Sequence, residues 1–104
     1  MIQTIKNFFG IGVPTPDLGE LRKQGAIILD VRTRGEYQSG HIKGSVNIPL
    51  NELQGQLSKL KKEKAIITCC ASGMRSASAR GILKSNGFQQ VYNGGGWSSL
   101  NNKI

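Results

Sequence analysis

Two neighbouring cysteines, Cys69 and Cys70, stand where an apolar run, Ala65-Ile66-Ile67-Thr68-Cys69, meets a polar hexad, Cys70-Ala71-Ser72-Gly73-Met74-Arg75. The apolar run has the length and composition of a strand buried on both faces. The residues after the hexad have helical spacing, with Ala79, Ile82 and Leu83 inward and Gly87 past the end. A cysteine at the carboxyl end of such a strand lies where open α/β sheets place their ligands. There the N–H groups of a short loop and of the following helix N-terminus converge on the sulfur. They favour the thiolate and lower its pKa without a neighbouring base. Arg75 adds a positive charge at the far end of the loop. The chemistry this pattern offers is that of an anionic sulfur nucleophile held among donors.

Cys69 is expected to do something different. Strand alternation turns its side chain away from that of Cys70, and it reads as a small buried hydrophobe. A disulfide between adjacent cysteines would be a strained ring that closes no useful loop, so a structural disulfide is excluded. The one histidine, His41, lies in a Gly40-His41-Ile42 turn and is expected to bond within that turn rather than act as a base for Cys70. One histidine and two adjacent cysteines do not supply a tetrahedral ligand set, so neither a metal nor another cofactor is expected.

Elements must exist that hold this loop in place. Thr15-Pro16-Asp17 predicts a helix start with Thr15 as cap and Pro16 at the first helical position; Leu18 and Leu21 follow on one side, and Gly25 stops it. Ala26 to Val31 predicts a second buried strand, Arg34 to Ser39 a turn or two of helix, and Ser45 to Ile48 a short strand closed by Pro49. Asn51 is a candidate cap for a helix carrying Leu53, Leu57 and Leu60. Val91 and Tyr92 mark a last short strand. Gly94-Gly95-Gly96-Trp97 is expected to turn the chain into a terminal helical piece. Strands alternating with helices predict an α/β domain with a mainly parallel sheet.

With 104 residues the chain is expected to form one domain over 15–104. An N-terminal segment, 1–14, carries Ile2, Ile5, Phe8 and Phe9 at the spacing of a short amphipathic helix packed on that domain. The net charge of +8 favours anionic ligands and partner surfaces in general. The dense basic run, Lys59, Lys61, Lys62 and Lys64, has no aromatic residues among it to stack on bases. It reads as a solvated helix end, and a nucleic-acid partner is not expected. No stretch has the length of a membrane span or the form of a signal peptide, and free thiols suit a reducing cytoplasm.

Several separated motifs agree with one family. Leu29-Asp30-Val31-Arg32, Glu36-Tyr37, Gly40-His41-Ile42, Gly44, Ile48-Pro49, Cys70-x-x-Gly73-x-Arg75-Ser76, Ala79, Gly87-Phe88 and Gly95-Gly96-Trp97 resemble the rhodanese homology domain in order and spacing, over nearly the whole chain. The resemblance implies a rhodanese-like three-layer α/β/α domain with a mainly parallel central sheet. It implies a single-domain thiosulfate sulfurtransferase in which Cys70 is the catalytic residue and carries a persulfide. Carried over by position, Ala71, Ser72, Gly73, Met74 and Arg75 form the substrate-binding loop, Asp30, Arg32 and Ser76 support the site, and Trp97 is structural. The implied partners are a small sulfur-containing anion such as thiosulfate as donor, and a thiol, a protein sulfur acceptor or cyanide as acceptor. Two positions depart from the pattern: Ala71, where many members carry a charged or polar residue, and Cys69, where tyrosine is frequent.

Two alternatives stand beside this. One is a rhodanese-fold sulfur carrier or protein-interaction module; a module that only binds partners would be expected to have lost the cysteine, which is present. The other is a cysteine phosphatase or arsenate reductase. Four residues separate Cys70 from Arg75, one fewer than in the familiar cysteine phosphatase loop, which favours a ring sized for sulfur.

Overall fold

A computed structural model describes residues 16–104. The helix expected over residues 1–12, and Thr15, lie outside the described residues. Helix α1 spans Leu18–Lys23. Its cap is Asp17 and not Thr15: the Asp17 carboxylate accepts the Glu20 N–H at 3.2 Å and places a negative charge at the positive end of the helix. Pro16 therefore precedes the cap instead of occupying the first helical position. Strand β1 (Ile27–Asp30) follows, then α2 (Arg34–Gln38), begun by a capping box between Thr33 and Glu36. Strand β2 is only Val46–Asn47.

The helix expected to start at Asn51 starts earlier and ends sooner. Helix α3 is Leu50–Leu53, preceded by Pro49, whose backbone φ of −55° already suits the first turn. A 3₁₀ segment, Gln54–Lys59, continues it with a break at Gln56, next to Gly55, where glycine weakens the helix. Leu53 and Leu60 still reach the core, with Leu57 packed against it. Strand β3 (Ile66–Cys70), α4 (Met74–Ser85), β4 (Val91–Gly96) and α5 (Trp97–Lys103) complete the described chain.

The four described strands pair in the order β2-β1-β3-β4, every neighbour parallel. One face of the sheet packs Leu29, Ile66 and Cys70 against Leu53 of α3 and Ala79 and Leu83 of α4. The other packs Ile28, Ile67 and Cys69 against Leu100 of α5, with Leu18 and Leu21 of α1 against the same cluster. The fold is the three-layer α/β/α arrangement with a parallel sheet. Strand β3 is buried at all five positions because it has a strand on each side and a helical layer on each face.

The glycine run does not simply turn the chain: it is strand. Asn93 pairs with Thr68 and Gly96 with Cys70, so β4 uses three steps against two on β3, a bulge that Gly95 accommodates at φ +82°. A Cβ on Gly94 would lie 2.7 Å from both the Thr68 carbonyl oxygen and Leu100, and one on Gly96 would lie 2.9 Å from the Ala71 carbonyl oxygen. Gly96 lets β4 run directly under the Cys70 loop, and Gly94 lets it lie close between β3 and α5. Gly81, by contrast, is an exposed helical residue with nothing near its Cβ position. Gly81→Ala should therefore stabilise the fold by about 0.5–1 kcal/mol. Gly96→Ala should destabilise it by about 1–3 kcal/mol through overpacking. Thermal melts of the two variants beside wild type check both signs.

Candidate active site

Cys70 is the last residue of β3, and the chain then bends back over its side chain. The Gly73 N–H donates to Cys70 Sγ at 2.9 Å and the Ser76 N–H at 3.3 Å. Gly73 makes this possible by adopting φ +110° immediately before α4, in the left-handed region where a side chain would be strained. The Cys70 side chain is almost out of water, at 1% exposure. Burial alone pushes its pKa up. The Ser76 N–H and hydroxyl and the Gly73 and Ser72 N–H groups outweigh that, and the net shift is below the ordinary thiol value. Cys69, on the opposite face, has no such donors: burial, reinforced by the Asp30 carboxylate, pushes it up to about 12.

Ser76 is fixed from several sides. Its carbonyl accepts the Thr68 hydroxyl at 2.9 Å, which ties the first turn of α4 to β3. Its own hydroxyl lies 2.9 Å from the Gly73 carbonyl and against Asn93 Oδ1, which also accepts the Gly95 N–H at 2.9 Å. Asn93 thus joins the bulge of β4 to the loop. Nothing in the sequence singles it out, since an asparagine before three glycines reads as a turn.

Asp30 and Arg32 are buried on the Cys69 side of the sheet, and neither is hydrogen-bonded to the Cys70 sulfur. The Arg32 guanidinium meets the Asp30 carboxylate at 2.7–3.0 Å and stacks 4.7 Å over the Trp97 ring. Its remaining N–H groups donate to the Gly40 carbonyl at 2.7 Å and the Glu36 carbonyl at 3.2 Å. The pair therefore anchors α2 and the turn after it to the sheet. His41 donates from Nδ1 to the Tyr37 carbonyl at 2.7 Å and stacks on the Tyr37 ring, so it has the expected structural role but ties the turn back to α2 instead of bonding within Gly40-His41-Ile42.

What α2 brings to the loop is Glu36. Its carboxylate takes both ends of the Arg75 guanidinium, at 2.7 and 3.0 Å. The positive charge that Arg75 adds at the end of the loop has a partner 39 positions away in the chain. The Arg75 bond, with the Thr33 N–H of the capping box, lowers the Glu36 pKa to about 2. Arg75 also lines a shallow cleft with Val31, Thr33, Pro49, Leu50 and Asn51. Of the other loop residues, Ala71, Ser72 and Met74 are exposed.

A parallel α/β sheet with a thiol met by N–H donors at the carboxyl end of its central strand defines a small thiol-bearing α/β domain. The rhodanese-like domain model matches residues 15–103, and the chain belongs to the rhodanese family of sulfur-handling domains. It is 34% identical to the thiosulfate sulfurtransferase GlpE of Pseudomonas savastanoi pv. phaseolicola, over 77% of this chain and 76% of that one. It is 42% identical to the putative sulfur carrier protein YrkF of Bacillus subtilis over 64% of this chain, but spans only 36% of that protein's length. The human single-domain sulfurtransferase TSTD1 superposes with a TM-score of 0.73 at 30% identity, over 89% of this chain and 99% of that one. Among the described residues no helix is long and apolar enough to cross a membrane.

The Glu36–Arg75 pair carries its own prediction. A carboxyl with a lowered folded pKa adds stability that is complete above its unfolded value, about 4.3, and is lost as pH falls through about 2. Carboxyl NMR should show Glu36 titrating near 2 in wild type, and near the ordinary carboxylate range in Arg75→Gln. The variant should also lose less stability than wild type between neutral pH and the acid limit.

Proposed function

We propose that this domain takes a sulfane sulfur onto Cys70 as a persulfide and passes it to a nucleophilic acceptor. The observation that carries this is the Cys70 sulfur, nearly buried yet accepting the Gly73 and Ser76 N–H groups. Hydrogen bonds to an anion contribute about 1.5–3 kcal/mol each, enough for two of them to offset a substantial desolvation cost. The thiolate attacks the outer sulfur of a donor such as thiosulfate. A new S–S bond forms on Cys70, the donor's S–S bond breaks, and sulfite leaves with the electron pair. An acceptor thiolate then attacks the outer sulfur of the persulfide and releases the Cys70 thiolate; with cyanide the product is thiocyanate.

The first four N–H groups of a helix have no acceptor within it. In α4 the Ser76 N–H faces Cys70 Sγ and the Ala77 N–H donates to the Gly73 carbonyl. The Met74 and Arg75 N–H groups are the two that can receive the outer sulfur. Ala71, Ser72 and Gly73 shape the rest of the loop, Ser76 orients it, and Asp30 and Arg32 act through α2. A second reading, a carrier that holds the persulfide for a partner rather than turning over free thiosulfate, is supported by the similarity to YrkF and by the pairing of Arg75 with Glu36. Both readings share the Cys70 persulfide, and both place the domain's work on sulfur and not phosphate.

After brief exposure to thiosulfate, intact-protein mass spectrometry should show a species one sulfur heavier in wild type and Cys69→Ser, and none in Cys70→Ser. Turnover with thiosulfate and cyanide should exceed any hydrolysis of a generic aryl phosphate; a carrier shows the adduct with little turnover. An adduct that survives in Cys70→Ser would move the site to Cys69.

A further inference from the structure

The chain carries +8, yet its dense basic run does not sit at the mouth of the Cys70 loop. Lys61, Lys62 and Lys64 lie just before β3, whereas Cys70 ends it. At about 3.3 Å per residue the two ends of this strand are roughly 15 Å apart. That exceeds the Debye length of about 8 Å at physiological salt, so these lysines contribute little at the sulfur. The loop's single cation is Arg75, and both ends of its guanidinium are held by Glu36. Arg34, two residues before Glu36, is likewise paired with Glu52 at 2.6 Å. Around the mouth stand Ala71, Ser72 and Met74, the last 80% exposed, beside a cleft walled by Val31, Pro49 and Leu50.

We propose that Glu36 sets the charge selectivity of this loop: by closing an ion pair on Arg75 it leaves the mouth electrically matched and disfavours free dianions. The sulfur handled here is then one carried on a thiol or persulfide of a larger, locally uncharged carrier. This deepens the sulfur-transfer reading and rests on it for the identity of the ligand. Glu36 is a positioning residue in this account, since it acts through Arg75. The substitution Glu36→Gln isolates its charge, because a glutamine carbonyl can still accept the Thr33 N–H at the third position of the capping box.

The test is thiosulfate binding at low ionic strength, read from the amide shifts of Gly73 and Ser76, in a Cys70→Ser background so that no sulfur is transferred. The parent should bind weakly. Adding Glu36→Gln should tighten binding about tenfold, the size of one uncompensated charge acting on a dianion a few ångströms away in water. Adding Arg75→Gln as well should abolish the gain. A merely structural role for Glu36 predicts a loss, not a gain. Binding that is unchanged or weaker in Glu36→Gln, or a gain that persists without Arg75, overturns the proposal. Failure of the sulfur-transfer reading would appear separately, as the absence of any sulfur adduct on Cys70.

Discussion

A sulfur that must ionise while nearly excluded from water needs donors fixed in advance, and the two N–H groups aimed at Cys70 Sγ set requirements that spread through the fold. The chain has to reverse within three residues of the strand end, which the left-handed Gly73 allows. The reversed loop comes down onto β4, so that strand can carry no side chain at Gly96, while Gly94 is closed by Thr68 of β3 and Leu100 of α5. Helix α4 has to begin at the right height, which the Thr68 hydroxyl fixes through the Ser76 carbonyl. The adjacent thiol shows what the donors change: Cys69 is as buried as Cys70, lacks them, and its pKa moves in the opposite direction.

The electrostatics of the site form a relay from core to surface. Asp30 and Arg32 are buried together, and Arg32 uses its other donors on the carbonyls of Glu36 and Gly40. Removing one member of such a buried pair typically costs about 3–5 kcal/mol, because the other charge is left without a partner. The held segment presents the Glu36 side chain to Arg75 on the loop. Residues that never touch the sulfur thus decide what charge the loop shows to an incoming ligand.

Much of this was legible in the residues. The run before Cys70 and the hexad after it located the strand, the loop and the thiol that the loop's N–H groups meet. Alternation assigned the two cysteines to opposite faces, as the two core clusters show. The glycine run was misjudged because three glycines look the same in a turn and in a bulge; only the loop lying over β4 distinguishes them. The cap at Asn51 was misjudged because Pro49 starts the helix first and Gly55 ends it early. The role of Glu36 escaped because its partner is distant in sequence, and its local capping box already accounts for a glutamate there.

The central claim is that the loop's N–H groups outweigh burial and lower the Cys70 pKa below the ordinary thiol value. The most direct measurement is a pH titration of thiolate absorbance in Cys69→Ser, which leaves Cys70 as the only thiol. The account predicts a single midpoint below the ordinary cysteine value of about 8.5. A midpoint at or above that value would mean that burial outweighs the donors, and would contradict it.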